Sequence, residues 1–146
     1  MENRRKQKAG SPRRQPSKRA RLVRRAEKYM RANLGKPLSM FDLCRKLCVS
    51  ERTLHYAFQE LRGLSPMAYF KACRLNAVRQ ELKAASTGTT TVREIAQRWG
   101  FWHTGEFAAD YRRLFGELPS QTLNGQPGSK PPKIVAVFNV NSRLDR

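Results

Sequence analysis

The chain has 146 residues, of which 39% are hydrophobic, and its 30 Lys and Arg outnumber 11 Asp and Glu to give a formal net charge of +19 at pH 7. This composition suits a single domain with a packed core, and the charge requires a polyanionic partner or an unfolded basic tail. Because no run approaches the roughly 18 consecutive apolar residues of a spanning helix, and no apolar stretch follows the basic N-terminus, we expect neither a membrane partner nor a signal peptide.

The two ends of the chain differ in composition from its middle. Residues 1–25 hold 11 Lys or Arg and one acid, Glu2, without an aromatic residue. Such a segment cannot bury enough apolar surface to fold, so residues 1–19 are predicted to be a disordered basic arm or a former interdomain linker. Residues 125–146 begin with a sequence rich in Pro and Gly and are predicted to be a disordered tail. The folded domain is therefore expected over residues 20–124.

Two helices are predicted before residue 50. Apolar residues recur at helical spacing from Leu22 to Leu34 and stop at a Gly-Lys-Pro sequence, which is typical of a helix end. A short second helix, from residue 40 to about 47, is expected after Ser39, because the Ser39 hydroxyl can cap it and Asp42 stands where a capping box needs an acid.

The third and fourth helices follow closely. Ser50 is a suitable N-cap for the third helix and Gly63 a suitable end. The residues between them form an apolar stripe of Leu54, Ala57, Phe58 and Leu61. Ser65 caps the fourth helix, and Pro66 occupies its first position, where a missing N–H has no consequence. Apolar residues continue to Leu82, which predicts a long helix over about 65–84.

Three further helices are predicted in the second half of the domain. Thr91 and Glu94 fit a capping box at the start of the fifth helix. A turn at Gly100 leads to the sixth helix, which ends at Gly116. Pro119 then begins a final short turn of helix.

The chain contains an internal repeat. A constant offset of 53 residues pairs Leu54 with Phe107, Phe58 with Tyr111, Gly63 with Gly116 and Pro66 with Pro119. Upstream of the turn the offset is 52. Each copy has the pattern of a helix-turn-helix unit, with a short capped helix, a turn of three or four residues and a second helix. We therefore predict an all-α fold of about seven helices, with two homeodomain-like helix-turn-helix units, about 39–62 and 91–115, joined by the long central helix.

Several short motifs carry a family resemblance. They are Val49-Ser50-Glu-Arg-Thr-Leu54, Gly63-Leu-Ser65-Pro66 and Arg74-Leu75 in the first half, and Ile95-Ala96, Gly100-Phe101, Tyr111-Arg112, Phe115-Gly116 and Pro119-Ser120 in the second. Over residues 20–124 the chain resembles the DNA-binding domain of AraC/XylS-type regulators, and residues 74–79 and 98–107 are similar to a subgroup that includes regulators of ethanolamine use. The resemblance implies a bacterial transcriptional regulator, generally an activator. Its recognition helices, about 51–62 and 104–114, would enter successive major-groove segments of double-stranded DNA.

The third helix has the side chains best suited to reading bases. Burial of its apolar stripe directs four polar residues outward: Arg52, His55, Tyr56 and Gln59. Arg can donate two hydrogen bonds to guanine, Gln can pair with adenine, and His or Tyr can donate to a base or contact a thymine methyl. We predict that these four residues contact bases, although the polar stripe of an isolated helix is more often only its solvated face.

The equivalent face of the sixth helix is nearly bare. The 53-residue offset places there Gly105, Ala108, Ala109 and Arg112. Side chains without donors or acceptors cannot hydrogen-bond a base edge, so base contacts in this unit are predicted for Thr104 and Glu106. Arg74 and Arg79 are further candidates for phosphate contact, with a salt bridge that holds helices together as the alternative, which we favour for Arg74. The residues predicted to contact phosphates are Ser50, Arg62, Lys71, His103, Arg112 and Arg113.

Other functions are less favoured by the residues present. Cys44 and Cys48 lie one helical turn apart, but no His completes a metal site, so both are expected to be core residues, and no metal or cofactor is expected. No nucleophile stands with a base and an acid, so an enzyme is not expected. The aromatic series from Trp99 to Phe115 is interpreted as core. The alternative to a sequence-specific regulator is a nonspecific basic nucleic-acid-binding protein, either RNA-associated or architectural.

The remaining expectations concern partners and location. RNA polymerase is a further expected partner of an activator, and the chain has no room for the small-molecule-sensing domain that regulators of this type often carry. Because internal packing accounts for the apolar positions, we expect a monomer. Three cysteines, an odd number, suit a reducing compartment, which together with DNA binding predicts the cytoplasm and the nucleoid.

Overall fold

Seven α-helices and no β-strand make up the described part of the computed structural model, residues 16–86 and 88–125. In chain order they are α1 (Lys18–Ala32), α2 (Met40–Leu47), α3 (Glu51–Arg62), α4 (Pro66–Ala84), α5 (Val92–Arg98), α6 (Thr104–Phe115) and α7 (Pro119–Leu123). The predicted all-α fold is confirmed. The disorder predicted up to residue 15 and from residue 126 concerns residues outside the described range, and Lys18 and Arg19, assigned to the arm, already belong to α1.

Side-chain caps mark where five of the helices begin. Five side chains accept a hydrogen bond from the backbone N–H three residues later, at 3.1–3.2 Å: Ser17, Ser39, Ser50, Ser65 and Thr91. At α2 and α5 the carboxylates of Asp42 and Glu94 accept in return from the backbone N–H of the capping residue. Hydrogen bonds from the Ser39 hydroxyl and backbone N–H lower the pKa of Asp42, and hydrogen bonds from the Thr91 backbone N–H and the Thr90 hydroxyl lower the pKa of Glu94. The N-caps predicted for α2 to α5 are therefore confirmed.

The two helix-turn-helix units turn through a left-handed residue at equivalent positions. Cys48 has φ +55° and Gly100 has φ +82°. This conformation strains a residue with a side chain but not glycine, so the turns share a backbone feature that only the second accommodates without strain. Residues 48–50 separate α2 from α3, whereas residues 99–103 separate α5 from α6, because α5 ends one repeat position earlier than α2 and the second turn contains one inserted residue. The predicted turn of three or four residues is therefore wrong for the second unit.

Two hydrophobic cores share helix α4. The first core consists of α1, α2 and α3, together with Tyr69 and Phe70 from the beginning of α4. The second core joins α5, α6 and α7 to the rest of α4, which buries Ala72, Leu75, Val78 and Leu82. With α1 to α3 taken as the first unit and α5 to α7 as the second, extensive helix packing among the described residues lies within one unit or involves α4. Helix α4 is therefore the element that holds the two units together.

The aromatic series of the second unit packs as core, as predicted. Phe107, Tyr111 and Phe115 are buried, and Trp99 and Phe101 are partly buried against them. Neighbouring rings from Phe101 to Phe115 have centroids 5.1, 5.7 and 4.6 Å apart, within the range of favourable aromatic pairs. These rings fill the interior and leave no stacking platform for single-stranded nucleic acid among them.

Two residues depart from the burial predicted for them. Leu61, assigned to the apolar stripe of the third helix, is 36% exposed, because the core residues of α3 end at Phe58. Cys48, expected in the core, is exposed at the left-handed turn, and its Sγ donates to the carbonyl of Arg45 at 3.7 Å. Cys44 is partly buried against the first core, as expected.

Two buried tyrosines make the stability of the fold depend on pH under alkaline conditions. Tyr69 and Tyr111 are 3% and 0% exposed, and burial raises the pKa of each to about 12. Because an unfolded tyrosine ionises at about pH 10, the unfolded chain loses these protons before the folded chain does. We expect the free energy of unfolding to fall as the pH rises from about 10 to about 12, and urea unfolding across this range measures it. A flat profile would contradict this expectation.

Candidate nucleic-acid interface

Helix α3 presents a polar face to solvent. Its three buried residues face the first core, and the four residues predicted to contact bases are all exposed: Arg52, His55, Tyr56 and Gln59. The guanidinium carbon of Arg52 lies 5.2 Å from the centre of the Tyr56 ring, which is one helical turn away. This cation–π contact holds both side chains together on the outer surface of the helix.

Helix α6 presents a smaller face. The positions equivalent to the polar face of α3 hold Gly105, Ala108, Ala109 and Arg112, of which Ala108 is partly covered and the others are exposed. Thr104 and Glu106 are exposed in the first turn of α6. His103 precedes them as the N-cap residue, and its exposed side chain makes no capping hydrogen bond. Apart from Arg112, the polar side chains available on this face are therefore confined to the N-terminal turn.

Three cations predicted to contact phosphate are exposed to solvent, and two of them form ion pairs with Asp110. Arg112 is exposed, and Arg113 is 74% exposed although its Nη1 lies 3.0 Å from Asp110 Oδ1. Lys71 is 49% exposed and its Nζ lies 2.8 Å from the other carboxylate oxygen of Asp110. Arg112 and Arg113 belong to α6, and Lys71 lies beside it on α4. All three cations remain accessible to a polyanion.

Two other residues predicted to contact phosphate are engaged inside the protein. The Nε of Arg62 donates to Glu27 Oε1 at 2.6 Å, and Glu27 is 5% exposed. This bond raises the pKa of Arg62. The hydroxyl of Ser50 caps α3 and also forms a 2.8 Å hydrogen bond with Thr53 Oγ1. These contacts favour a structural role for both, and their contact with phosphate stays a prediction.

Most acidic side chains of the folded domain are paired within the protein. Residues 26–125 contain nine acids, and five of them form ion pairs with Lys or Arg: Glu27, Glu60, Glu81, Asp110 and Glu117. Asp42 and Glu94 cap helices, which leaves Glu51 and Glu106 in the first turns of α3 and α6. Helix α1 alone exposes seven Lys and Arg. The surface therefore carries the surplus of positive charge that attracts a polyanion.

Known proteins share this sequence pattern. A family model described as a helix-turn-helix domain matches residues 43–125. The "Probable thc operon regulatory protein" of Rhodococcus erythropolis is 40% identical over 106 residues, which are 73% of this chain and 32% of that protein. The "XylDLEGF operon transcriptional activator 1" of Pseudomonas putida is 35% identical over 99 residues, 68% of this chain and 30% of that protein. The chain thus spans about a third of the length of these curated relatives.

A solved structure shares the fold as well. The crystal structure of a probable AraC family transcriptional regulator from Rhodopseudomonas palustris is 40% identical, covers 73% of this chain and 99% of that chain, and has a TM-score of 0.67. The chain belongs to the AraC/XylS-type helix-turn-helix family. The AraC/XylS-type domain binds double-stranded DNA as part of a transcriptional regulator and is not an enzyme. The closer likeness to regulators of ethanolamine use stays a prediction.

The AraC/XylS-type domain shows neither a spanning helix nor a metal cluster in its described part. No helix between residues 16 and 125 is long and apolar enough to cross a membrane. No group of three or more His, Cys, Asp or Glu in the described ranges is arranged to hold a metal ion.

Two residues of the AraC/XylS-type domain have surroundings that the sequence analysis missed. Arg74, predicted to form a salt bridge, instead donates from Nε to the backbone carbonyl of Leu34 at 2.8 Å and from Nη2 to that of Lys36. Trp102 is 68% exposed in the turn before α6. The change of repeat offset from 52 to 53 residues was the available signal for this turn, because it marks an inserted residue without a counterpart in the first unit.

Proposed function

We propose that the domain binds one operator with α3 and α6 in successive major-groove segments on one face of the duplex, and that α3 supplies most of the base discrimination. The observation that carries the proposal is the contrast between two equivalent exposed faces. Four side chains with hydrogen-bonding groups occupy the face on α3, whereas Gly, Ala and a single Arg occupy the face on α6. Base edges are read by donors and acceptors, so a bare face positions a helix without reading much sequence.

The residues of α3 have complementary base chemistry. Arg52 suits the O6 and N7 acceptors of guanine, and Gln59 suits the N6 and N7 groups of adenine. His55 and Tyr56 can donate a hydrogen bond or lie against a thymine methyl. Because Tyr56 also lies beneath the Arg52 guanidinium, it restricts the positions that Arg52 can adopt before DNA arrives.

Helix α6 positions the domain on DNA more than it selects the base sequence. The small side chains at 105, 108 and 109 let its backbone approach the groove closely. Thr104 can contact either type of base, and Glu106 can accept from the amino group of cytosine. His103, Arg112, Arg113 and Lys71 supply phosphate contacts around this helix, with weaker support for Ser50 and Arg62 because both are engaged in the fold.

The name of a relative supports an activating role. One of the P. putida relatives is named an operon transcriptional activator, and activation makes RNA polymerase a second partner. We expect the domain to act as a monomer on chromosomal DNA in the cytoplasm, because its two internal units supply the pair of recognition helices that many regulators obtain by dimerising.

Selection of bound sites from random duplex DNA, followed by footprinting, tests the proposal. The expected result is an enriched sequence with two protected major-groove segments about one helical turn, roughly 34 Å, apart. Protection of a single groove would contradict the use of both helices. Binding without any enriched sequence would favour a nonspecific nucleic-acid-binding protein.

Deletion of residues 1–16 tests how far charge alone accounts for binding. This deletion removes six Lys and Arg but keeps Ser17, whose hydroxyl caps α1. We expect the preferred site to stay the same while the salt dependence of binding decreases, since each lost phosphate contact lowers the slope of log K against log salt by about 0.9. A variant with the same residues in scrambled order is the control and should bind as the intact chain does. Loss of nearly all site preference in the deletion variant would contradict sequence reading by the helices.

A further inference from the structure

Helix α4 carries an arginine that ties it to the first unit, α1 to α3 with the segments between them. The Arg74 guanidinium carbon lies 4.4 Å from the centre of the Phe70 ring, and Phe70 belongs to the first core. Arg74 Nε donates to the carbonyl of Leu34 at 2.8 Å, and Nη2 donates to the carbonyl of Lys36. Both carbonyls lie in the segment between α1 and α2, so a single side chain fastens this segment to the middle of α4.

The same guanidinium lies against the second unit. A Cβ placed on Gly100 would meet Arg74 Nη1 at 3.3 Å and Cζ at 3.5 Å. Gly100 has φ +82° in the turn between α5 and α6. Glycine at this position therefore provides both the left-handed conformation and the space for close approach. The turn that leads into α6 rests against a group that is fixed to the first unit.

A second arginine of α4 has similar chemistry but stays within one unit. The Arg79 guanidinium carbon lies 4.6 Å from the centre of the Phe115 ring, and Nη2 is 3.0 Å from Glu117 Oε1. Phe115 and Glu117 both belong to the second unit. Because the extensive packing between the units runs through α4, the contacts of Arg74 oppose a change of angle between them, whereas those of Arg79 do not.

We infer that Arg74 fixes the spacing and the rotational phase at which α3 and α6 meet DNA, and so determines which separation of the two half-sites the domain accepts. This inference rests on the proposed function, in which the two helices read successive major-groove segments. Arg74 is a positioning residue that touches no base. One base pair more or less between the half-sites turns the second by about 34° and moves it by about 3.4 Å, which a rigid connection between the units does not follow.

Binding to a series of operator duplexes measures this property. The two selected half-sites are moved together or apart by one and two base pairs. We expect the wild-type protein to lose about tenfold in affinity for each base pair, comparable to the cost of a mismatch, and Arg74→Met to lose less than about threefold. Preference for bases within each half-site should be the same in both proteins. Arg79→Met is the matched control and should keep the narrow spacing profile of the wild type.

Measurements on the free protein separate this inference from the proposed function. Residual dipolar couplings of the wild type and of Arg79→Met should fit one alignment tensor for both units, whereas Arg74→Met should require two. Gly100→Ala, whose Cβ would press on the guanidinium, should also require two and replaces Arg74→Met if that variant does not fold.

Different results would contradict the role of Arg74 and the proposed function. A narrow spacing profile in Arg74→Met, an equally broad one in Arg79→Met, or one common tensor in both Arg74→Met and Gly100→Ala would overturn the role of Arg74. A wild-type protein without any preferred spacing would contradict the proposed function, and the dipolar couplings would then decide the role of Arg74 alone.

Discussion

Arg62→Met is expected to lower the free energy of unfolding by about 3 kcal/mol, at the lower end of the range for breaking a buried ion pair. Glu27 is 5% exposed, and the Arg62 Nε donates to its carboxylate at 2.6 Å. Methionine keeps most of the aliphatic packing but leaves this carboxylate buried without its cation. The lower end applies because the Arg62 side chain is 33% exposed, so water can reach the site. Urea unfolding measures the change.

The double variant Glu27→Gln with Arg62→Met is the control for this prediction. It removes the buried charge, so we expect it to recover much of the lost stability. A loss below about 0.5 kcal/mol in Arg62→Met alone, the size of an ordinary surface substitution, would contradict the role of the ion pair. The salt dependence of DNA binding decides whether Arg62 also contacts phosphate, because such a contact adds about 0.9 to the slope.

Arg52→Ala is expected to remove about 1–3 kcal/mol of discrimination at one base pair while weakening the choice at other positions little. Arg52 is exposed on α3 beside Tyr56, and its guanidinium can donate two hydrogen bonds to guanine. Alanine has no donor, so the four base pairs at that position should become nearly equivalent. His55→Ala should relax a neighbouring position in the same way. Binding to all single-base variants of the operator measures both effects.

Arg112→Ala is the matched control for Arg52→Ala. It removes the same charge from the equivalent face of α6, where we expect a phosphate contact. Affinity should therefore fall by a similar factor for every operator variant, and the salt slope should decrease by about one. A larger loss of discrimination from substitutions in α6 than from those in α3 would overturn the assignment of base reading to α3.

The starts of α2 to α5 could be predicted because their causes are local. Ser39 with Asp42, and Thr91 with Glu94, complete capping boxes within three residues of each other. The exposure of Arg52 follows in the same way, because burial of Leu54 leaves the opposite side of α3 to solvent. All the groups that decide these features lie within two turns of one helix, so their spacing in the sequence is sufficient evidence.

Contacts between distant residues could not be predicted on the same basis. Glu27 and Arg62 are 35 residues apart, and the carbonyls of Leu34 and Lys36 lie 40 and 38 residues from Arg74. With 30 cations and 11 acids in the chain, many pairings are chemically equivalent until packing brings certain groups together. Backbone carbonyls add further acceptors that spacing does not distinguish. For this reason Arg74 was expected to pair with an acid and instead binds two carbonyls.

The shared helix α4 also limits how such a domain can be recombined with its relatives. Tyr69 and Phe70 belong to the first core, whereas Ala72 and Leu75 belong to the second, and all four lie on one continuous helix. A chimera that exchanges one unit at a loop would separate part of a core from the residues that complete it. The natural point of exchange is therefore inside α4, close to Lys71, where each incoming half keeps the fully buried residues of its own core.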